Sequence, residues 1–279
     1  MIKNILGGMA IGMANMIPGV SGGTIMVLLG LFDKMIKSIS NITKVSNPQR
    51  KKDIFFLFQI LIGAAVGLVV FANIIDWIFK HYPIQTVFWF IGLIVQSIPF
   101  VMKKELKGYK VSWLTIILGI LTVLLIVYYN PGEQVIEINA YPQVTLMFLI
   151  KLIFIGIIIG GTMILPGVSG SMILLIIGQY YLFKTYVANI LTLKLVILIP
   201  LFFIGIGIML GIVLISKSTR YLLENHRRVT VSFILGLIIA SAFVLIPKDI
   251  TYDWMEILTA ALAFLFGTVV VLGIEKLDG

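Results

Sequence analysis

The chain reads Pro18-Gly19-Val20-Ser21-Gly22-Gly23-Thr24 near its start, inside an otherwise apolar block, and repeats this as Pro166-Gly167-Val168-Ser169-Gly170-Ser171. Proline lacks an N–H and clashes with the preceding helical turn, and glycine weakens the helix further, so each stretch breaks the block that contains it. In lipid the freed backbone groups need partners, so such breaks survive only where protein or a polar cavity surrounds them. The similarity spreads outward from the motif. Gly8–Gly30 aligns without a gap with Gly156–Gly178, with 10 of 23 positions identical. Leu57–Ser97 aligns with Leu201–Ser241 with 13 of 41 identical, including Gly63/Gly207, Gly67/Gly211 and Gly92-Leu93-Ile94 against Gly236-Leu237-Ile238. Trp113 and Trp254 then open a third matching apolar stretch. The chain is a tandem duplication, 1–139 and 140–279, joined near the acidic, turn-rich segment Asn130 to Tyr141.

Of the 279 residues, 60% are hydrophobic and 12% charged, against about 45–50% and about 25% in a soluble domain. A soluble globular protein is excluded, and the long apolar runs mark a polytopic membrane protein. The net charge of +9 does not indicate nucleic acid, because the basic residues sit in short loops between apolar blocks, as topology signals do. There is no cysteine and there are only two histidines, His81 and His226. Disulfides, thiolate chemistry and thiolate metal sites are excluded. Clusters of His, Asp and Glu at metal-ligand spacing are absent, and no cofactor is expected. The apolar start is interrupted by Asn15 and Pro18 without a small-residue cleavage site, which predicts mature structure rather than a signal peptide.

The broken blocks decide the topology. If residues 5–32 dip in and return, each half crosses the membrane three times and the halves are inverted; if they cross, each half crosses four times and the halves are parallel. In the first arrangement 16 of the 21 Lys and Arg fall in 1–53, 103–110, 217–228 and the C-terminal tail. The opposite face keeps Lys80, Lys184, Lys194 and Lys248, and its longest loop carries Glu133 and Glu137 without a base. Basic residues mark the cytoplasmic side. The expected fold is therefore an all-α integral membrane protein of two inverted repeats, each a re-entrant helix hairpin with a Pro-Gly-Val-Ser-Gly tip followed by three transmembrane helices. The first repeat comprises hairpin 5–32, interfacial helix 33–46 and spans 54–79, 84–102 and 111–129. The second comprises hairpin 144–182 and spans 195–215, 229–247 and 254–274. The stretch Val144 to Leu165 is about 33 Å long as a helix, more than a half-membrane arm requires, which leaves its crossing open.

Past each glycine turn, Ser21 and Ser169 stand where an N-cap belongs, so helices follow with their N–H groups and positive dipole ends pointing into the membrane. That arrangement holds an anion. Ser21, Gly22, Gly23 and Thr24 from one tip, with Ser169, Gly170 and Ser171 from the other, form the expected cradle, shaped by Pro18, Gly19, Val20, Pro166, Gly167 and Val168. Lys151 lies inside an apolar stretch, and its repeat mate is Lys3. An intramembrane lysine is a functional candidate, or at a helix end a snorkelling residue. No carboxylate falls in mid-span; Asp76 and Glu256 are near span ends, so no acid-based proton or sodium site is visible. Gly8/Gly12, Gly63/Gly67, Gly156/Gly160 and Gly207/Gly211 have the small-xxx-small spacing of packed membrane helices. Gly19-Val20-Ser21-Gly22-Gly23 also satisfies the pattern of serine hydrolases. A nucleophilic serine needs an adjacent base, whereas both histidines fall in predicted loops on opposite sides. An intramembrane serine hydrolase is one alternative, and a transporter or channel for a small soluble anion is another.

The duplicated motif, together with Phe90-Ile91-Gly92-Leu93-Ile94 followed by Ser97-Ile98-Pro99, resembles the PopT-type polyprenyl-phosphate transporter family over essentially the whole chain. The resemblance implies a flippase that returns undecaprenyl phosphate, the lipid carrier of envelope polymers, from the outer to the inner leaflet of the bacterial cytoplasmic membrane. Its partners are then the lipid and the bilayer, with no nucleic acid. Carried onto this chain, the motif residues are Pro18 to Thr24 and Pro166 to Ser171. Some members carry Asp where this chain has the neutral Asn15, so acid-dependent proton coupling at that position is not implied.

Overall fold

The computed structural model describes residues 2–14, 21–43, 46–106, 108–129, 141–168, 170–246 and 253–278, and among these there is no strand. The first half contains α1 (Ile2–Ala14), α2 (Gly22–Leu28), α3 (Phe32–Ile42), α4 (Arg50–His81), α5 (Pro83–Val101) and α6 (Trp113–Tyr128). The second half contains α7 (Leu146–Ile164), α8 (Gly170–Ile176), α9 (Tyr180–Ala188), α10 (Leu195–Asn225), α11 (Arg227–Val244) and α12 (Trp254–Asp278). A π turn, Met102–Leu106, extends α5. The halves match element for element, with α1 ending at Ala14 before α2 begins at Gly22, and α7 ending at Ile164 before α8 begins at Gly170. The expected joint at 130–140 and part of the interfacial helix, residues 44 and 45, lie outside the described residues.

Among the described residues six helices are long and apolar enough to cross a membrane: α4, α5, α7, α10, α11 and α12. This set differs from the expected spans at two places. α7 has 19 residues, about 28 Å, and so has spanning length. α6 has 16, about 24 Å, and is short. The cause lies in its lead-in. The Ser112 N–H donates to Ser232 Oγ at 2.9 Å, and Arg228 Nε donates to the Lys110 carbonyl at 2.7 Å. Ser112, with extended backbone (φ −99°, ψ 100°), is the N-cap, so α6 begins only at Trp113.

The glycines read from the sequence as packing positions lie at the closest helix contacts. A Cβ on Gly8 or Gly12 would strike the carbonyls of Ile60 or Ala64, and one on Gly63 or Gly67 those of Ile5 or Met9. Residue numbers rise together on both helices, so α1 and α4 run parallel and begin at the same end of the molecule. Gly156, Gly160, Gly207 and Gly211 repeat this pattern between α7 and α10. Without a hydrophobic drive between helices in lipid, such close backbone contact supplies much of their association.

The later helices pair across the halves. Gly92 meets Phe264, Gly267 meets Trp89, and Gln85 Nε2 donates to Thr259 Oγ1 at 2.9 Å, which sets α5 parallel to α12. Gly119 meets Phe233 and Gly236 meets Ile116, which with the Ser112–Ser232 bond sets α6 parallel to α11. The halves are interlocked, each lending its last helix to the other.

At one end of the molecule α3, the start of α4, the π turn and the α10–α11 corner meet. Ser38 Oγ and Asn41 Nδ2 each donate to the Asp53 carboxylate at 2.9 Å, and Arg220 donates to Asn41 Oδ1. Arg227 bridges Asp33 at 3.2 Å and Glu105, and also donates from Nε to the Glu105 carbonyl. The last turns of α10 therefore lie at the same end as the first turn of α4, with α3 bonded to both, so these two helices run in opposite directions. The opposite end is bound by other means: α9 is held through the fully buried Tyr186, stacked on Tyr141 at 5.5 Å.

Candidate functional site

The first tip follows the expectation from its sequence. Ser21 has extended backbone (φ −92°, ψ 135°), and its Oγ accepts from the Gly23 N–H at 3.1 Å while its carbonyl accepts from Thr24. That is N-cap geometry. Past the C-cap of α2 stands Gly30, whose positive φ of 64° lets Leu31 N–H reach the Met26 carbonyl and Gly30 N–H the Val27 carbonyl. Gly178 (φ 67°) closes α8 in the same way, with Gln179 N–H on Leu174 and Gly178 N–H on Leu175. Both short helices thus stop in Schellman motifs at equivalent glycines.

The second tip is built by proline. Clash with the Pro166 ring pushes Leu165 into extended backbone (φ −76°, ψ 121°), which ends α7. Gly167 follows with φ 76°, and a Cβ there would stand 2.5 Å from the Leu237 carbonyl on α11. Only glycine fits both demands. Pro166 and Val168 are buried, and a Cβ on Gly170 would meet Thr162 Oγ1 at 2.9 Å.

The two tips touch. Ser21 Oγ donates to the Leu165 carbonyl at 3.1 Å, and Gly167 N–H donates to Thr24 Oγ1 at 2.9 Å. A Cβ on Gly23 would lie 2.9 Å from Ile164 O and Pro166 N. Ser21 and Thr24 are 6% and 1% exposed. The hydroxyls expected to face a ligand are thus satisfied by the opposite tip, in a contact closed to solvent. Pro18, Gly19, Val20 and Ser169 lie outside the described residues, as do Asn15 and the side chain of Ser171.

Lys3 and Lys151 do not join the tips. Both are exposed near the starts of α1 and α7, roughly 16 and 20 Å along the axes from the helix ends that reach the tips. A long aliphatic stem lets a lysine on an apolar helix carry its charge toward the helix end. Sequence reading also passed over several buried hydroxyls. Ser97 and Ser241, equivalent positions on α5 and α11, donate to Ile94 and Ile238 at 2.6 and 2.8 Å. Ser241 is one turn beyond Leu237, which touches the second tip. Their identity in the repeat alignment was the available signal.

A hydrolytic centre is not assembled around Ser21. His81 caps its own helix, with Nδ1 2.8 Å from the Trp77 carbonyl, and His226 is exposed at the α10–α11 corner. Among the described residues no group of His, Asp and Glu could hold a metal ion.

A family model described as undecaprenyl phosphate translocase-like matches residues 11–261. A polyprenyl-phosphate transporter of Staphylococcus aureus is 30% identical over 251 residues, 88% of this chain and 86% of the relative. A polyprenyl-phosphate transporter of Vibrio cholerae serotype O1 is 31% identical over 268 residues, 91% of this chain and 80% of the relative. Both relatives are named as transporters rather than enzymes. No solved structure matches the chain.

Proposed function

The chain belongs to the undecaprenyl phosphate translocase-like family, and from that premise we propose that it flips a polyprenyl phosphate of the undecaprenyl class from the outer to the inner leaflet of the bacterial cytoplasmic membrane, recycling the carrier for envelope synthesis. The phosphate head crosses at the two proline-glycine tips while the prenyl tail stays in lipid. The observation that carries this reading is the direct contact of the tips through Ser21, Thr24, Leu165 and Gly167. An anionic head needs polar partners at mid-membrane, and two broken helices meeting there offer hydroxyls and backbone N–H groups where a continuous helix offers none.

Helix directions support a re-entrant, inverted architecture. α1 and α4 start at the same end, so the chain between them returns to the face it entered, and α7 and α10 do the same. Since α10 runs opposite to α4, the two hairpins enter from opposite faces. The basic end, with Lys34, Lys37, Arg220, Arg227 and Arg228, is then the cytoplasmic one. In this state the tips are latched to each other, and the cytoplasmic end is closed by the Arg227 bridge and by Val27, Phe32, Val101 and Leu223 beneath it. Transport alternates by parting the tips toward one leaflet at a time, with the phosphate taking over the bonds that Ser21 and Thr24 make here.

The test is the double variant Ser21→Leu/Ser169→Leu, reconstituted in vesicles and assayed with a labelled polyprenyl phosphate. Loss of flipping with normal insertion is expected. Undiminished flipping in correctly inserted protein removes the tips as the headgroup site.

A further inference from the structure

The π turn Met102–Leu106 divides two cavities at the basic end. Glu105 faces one of them, the ionic cluster around Arg227. Met102 and Leu106 face the other, an open groove of about 680 Å³ between the end of α5, the start of α6 and the start of α11. Its charged lining is Lys103, Lys110 and Arg228, with no carboxylate among the described residues. Tyr109 and Trp113, also in the lining, are 59% and 71% exposed.

Arg228 is held by two carbonyls, Lys110 at 2.7 Å and Val111 at 3.4 Å. Carbonyls fix its position without neutralising its charge, and among the described residues it has no carboxylate partner. Most of its guanidinium donors remain for an anion, in the planar fork that suits a phosphate. Trp and Tyr beside these cations are the residues that settle at the headgroup level. Below Trp113 the outer face of α6 continues with exposed Leu114, Ile117, Leu118 and Leu121, an apolar track at acyl depth. The duplicated scaffold does not need this charge: the position equivalent to Arg228 is Ile84, which is buried.

We infer that this groove is a binding site for an anionic glycerophospholipid of the cytoplasmic leaflet, with the lipid phosphate on Arg228 and Lys110 and the acyl chains along α6. The occupant is a resident lipid rather than the transported one, because the π turn and the buried Leu106 wall the groove off from α2 and the tips. Basic pockets on the cytoplasmic side of helix bundles take lipid phosphates in this way. Binding here also braces the turn that carries Glu105 to Arg227.

Native mass spectrometry of the full chain released from phosphatidylcholine/phosphatidylglycerol membranes tests the site. The unmodified protein is expected to retain phosphatidylglycerol preferentially, and Arg228→Gln/Lys110→Gln to lose that adduct. Equal retention of both lipids, or a preference that survives the double substitution, overturns the inference. A spectroscopic arm uses Trp113 as the sole tryptophan, with Trp77, Trp89 and Trp254 replaced by Phe. Brominated phosphatidylglycerol is expected to quench it several-fold more than brominated phosphatidylcholine. Relief of that quenching by a trace of polyprenyl phosphate, but not by the same amount of unbrominated phosphatidylglycerol, overturns the assignment to a resident phospholipid.

Discussion

Thr24 has one bond whose loss can be isolated. It is 1% exposed, and its Oγ1 is the acceptor for the Gly167 N–H. Thr24→Val keeps the shape and removes the acceptor, leaving a partly buried backbone donor without this bond at about 1 kcal/mol. The unfolding midpoint in detergent should fall, and Thr24→Ser should recover most of the loss; equal losses in both variants would assign the effect to packing. That the threonine lies in a broken, buried segment was legible from the neighbouring proline and glycines. That its partner is Gly167, 143 positions away, was not, because no local pattern encodes which loop a hydroxyl meets. Lys151 shows the converse. A lysine in an apolar run looks intramembrane by composition, and only the observed start of α7 at Leu146 shows that it stands in the second turn of its helix, away from the end that reaches the tips.

Between elements, the decisive feature is the clamp of α3, the π turn and α11 by Arg227. Its side chain is 32% exposed and those of Asp33 and Glu105 are 23% and 20% exposed, so the bridge is partly screened and partly desolvated. Removing the arginine takes away the cation that the two carboxylates share, while Lys37 stays 3.9 Å from Asp33. With Arg227→Gln, a cysteine placed at the buried Val27, which lines a small cavity beneath the clamp on the proposed path, should react several-fold faster with a membrane-permeant thiol reagent than in the parent. The native chain has no cysteine, so the reporter is unambiguous. An unchanged rate would show that the clamp does not close the path. In the sequence Asp33 opens the expected interfacial helix while Glu105 and Arg227 fall in segments between spans, and these three charges, spread over nearly two hundred residues, converge only when the elements pack.

For the whole molecule, the proposal requires that α3 and α9 lie on opposite membrane faces. Single cysteines at the exposed Lys34 and Lys184 should be labelled by an impermeant maleimide from opposite sides, Lys34→Cys from the cytoplasm and Lys184→Cys from outside. Labelling of both from one side would defeat the inverted architecture. The broad plan was readable without coordinates: composition put the chain in the bilayer, internal identity divided it into halves, and Pro-Gly pairs located the breaks. These are local consequences of chain chemistry, since hydrophobic length and a missing N–H act wherever they occur. Glycine spacing likewise marked the close contacts of α1, α4, α7 and α10, because a helix face lacking Cβ atoms can only favour near approach. Which face meets which is a different matter. The exchange of α6 and α12 between halves and the particular bonds by which the two tips meet depend on how helices of nearly equal hydrophobicity sort themselves. Lipid tails are as apolar as the helices, so burial gives little guidance there, and the choice falls to backbone fit and a few hydrogen bonds that exist only in the assembled tertiary structure.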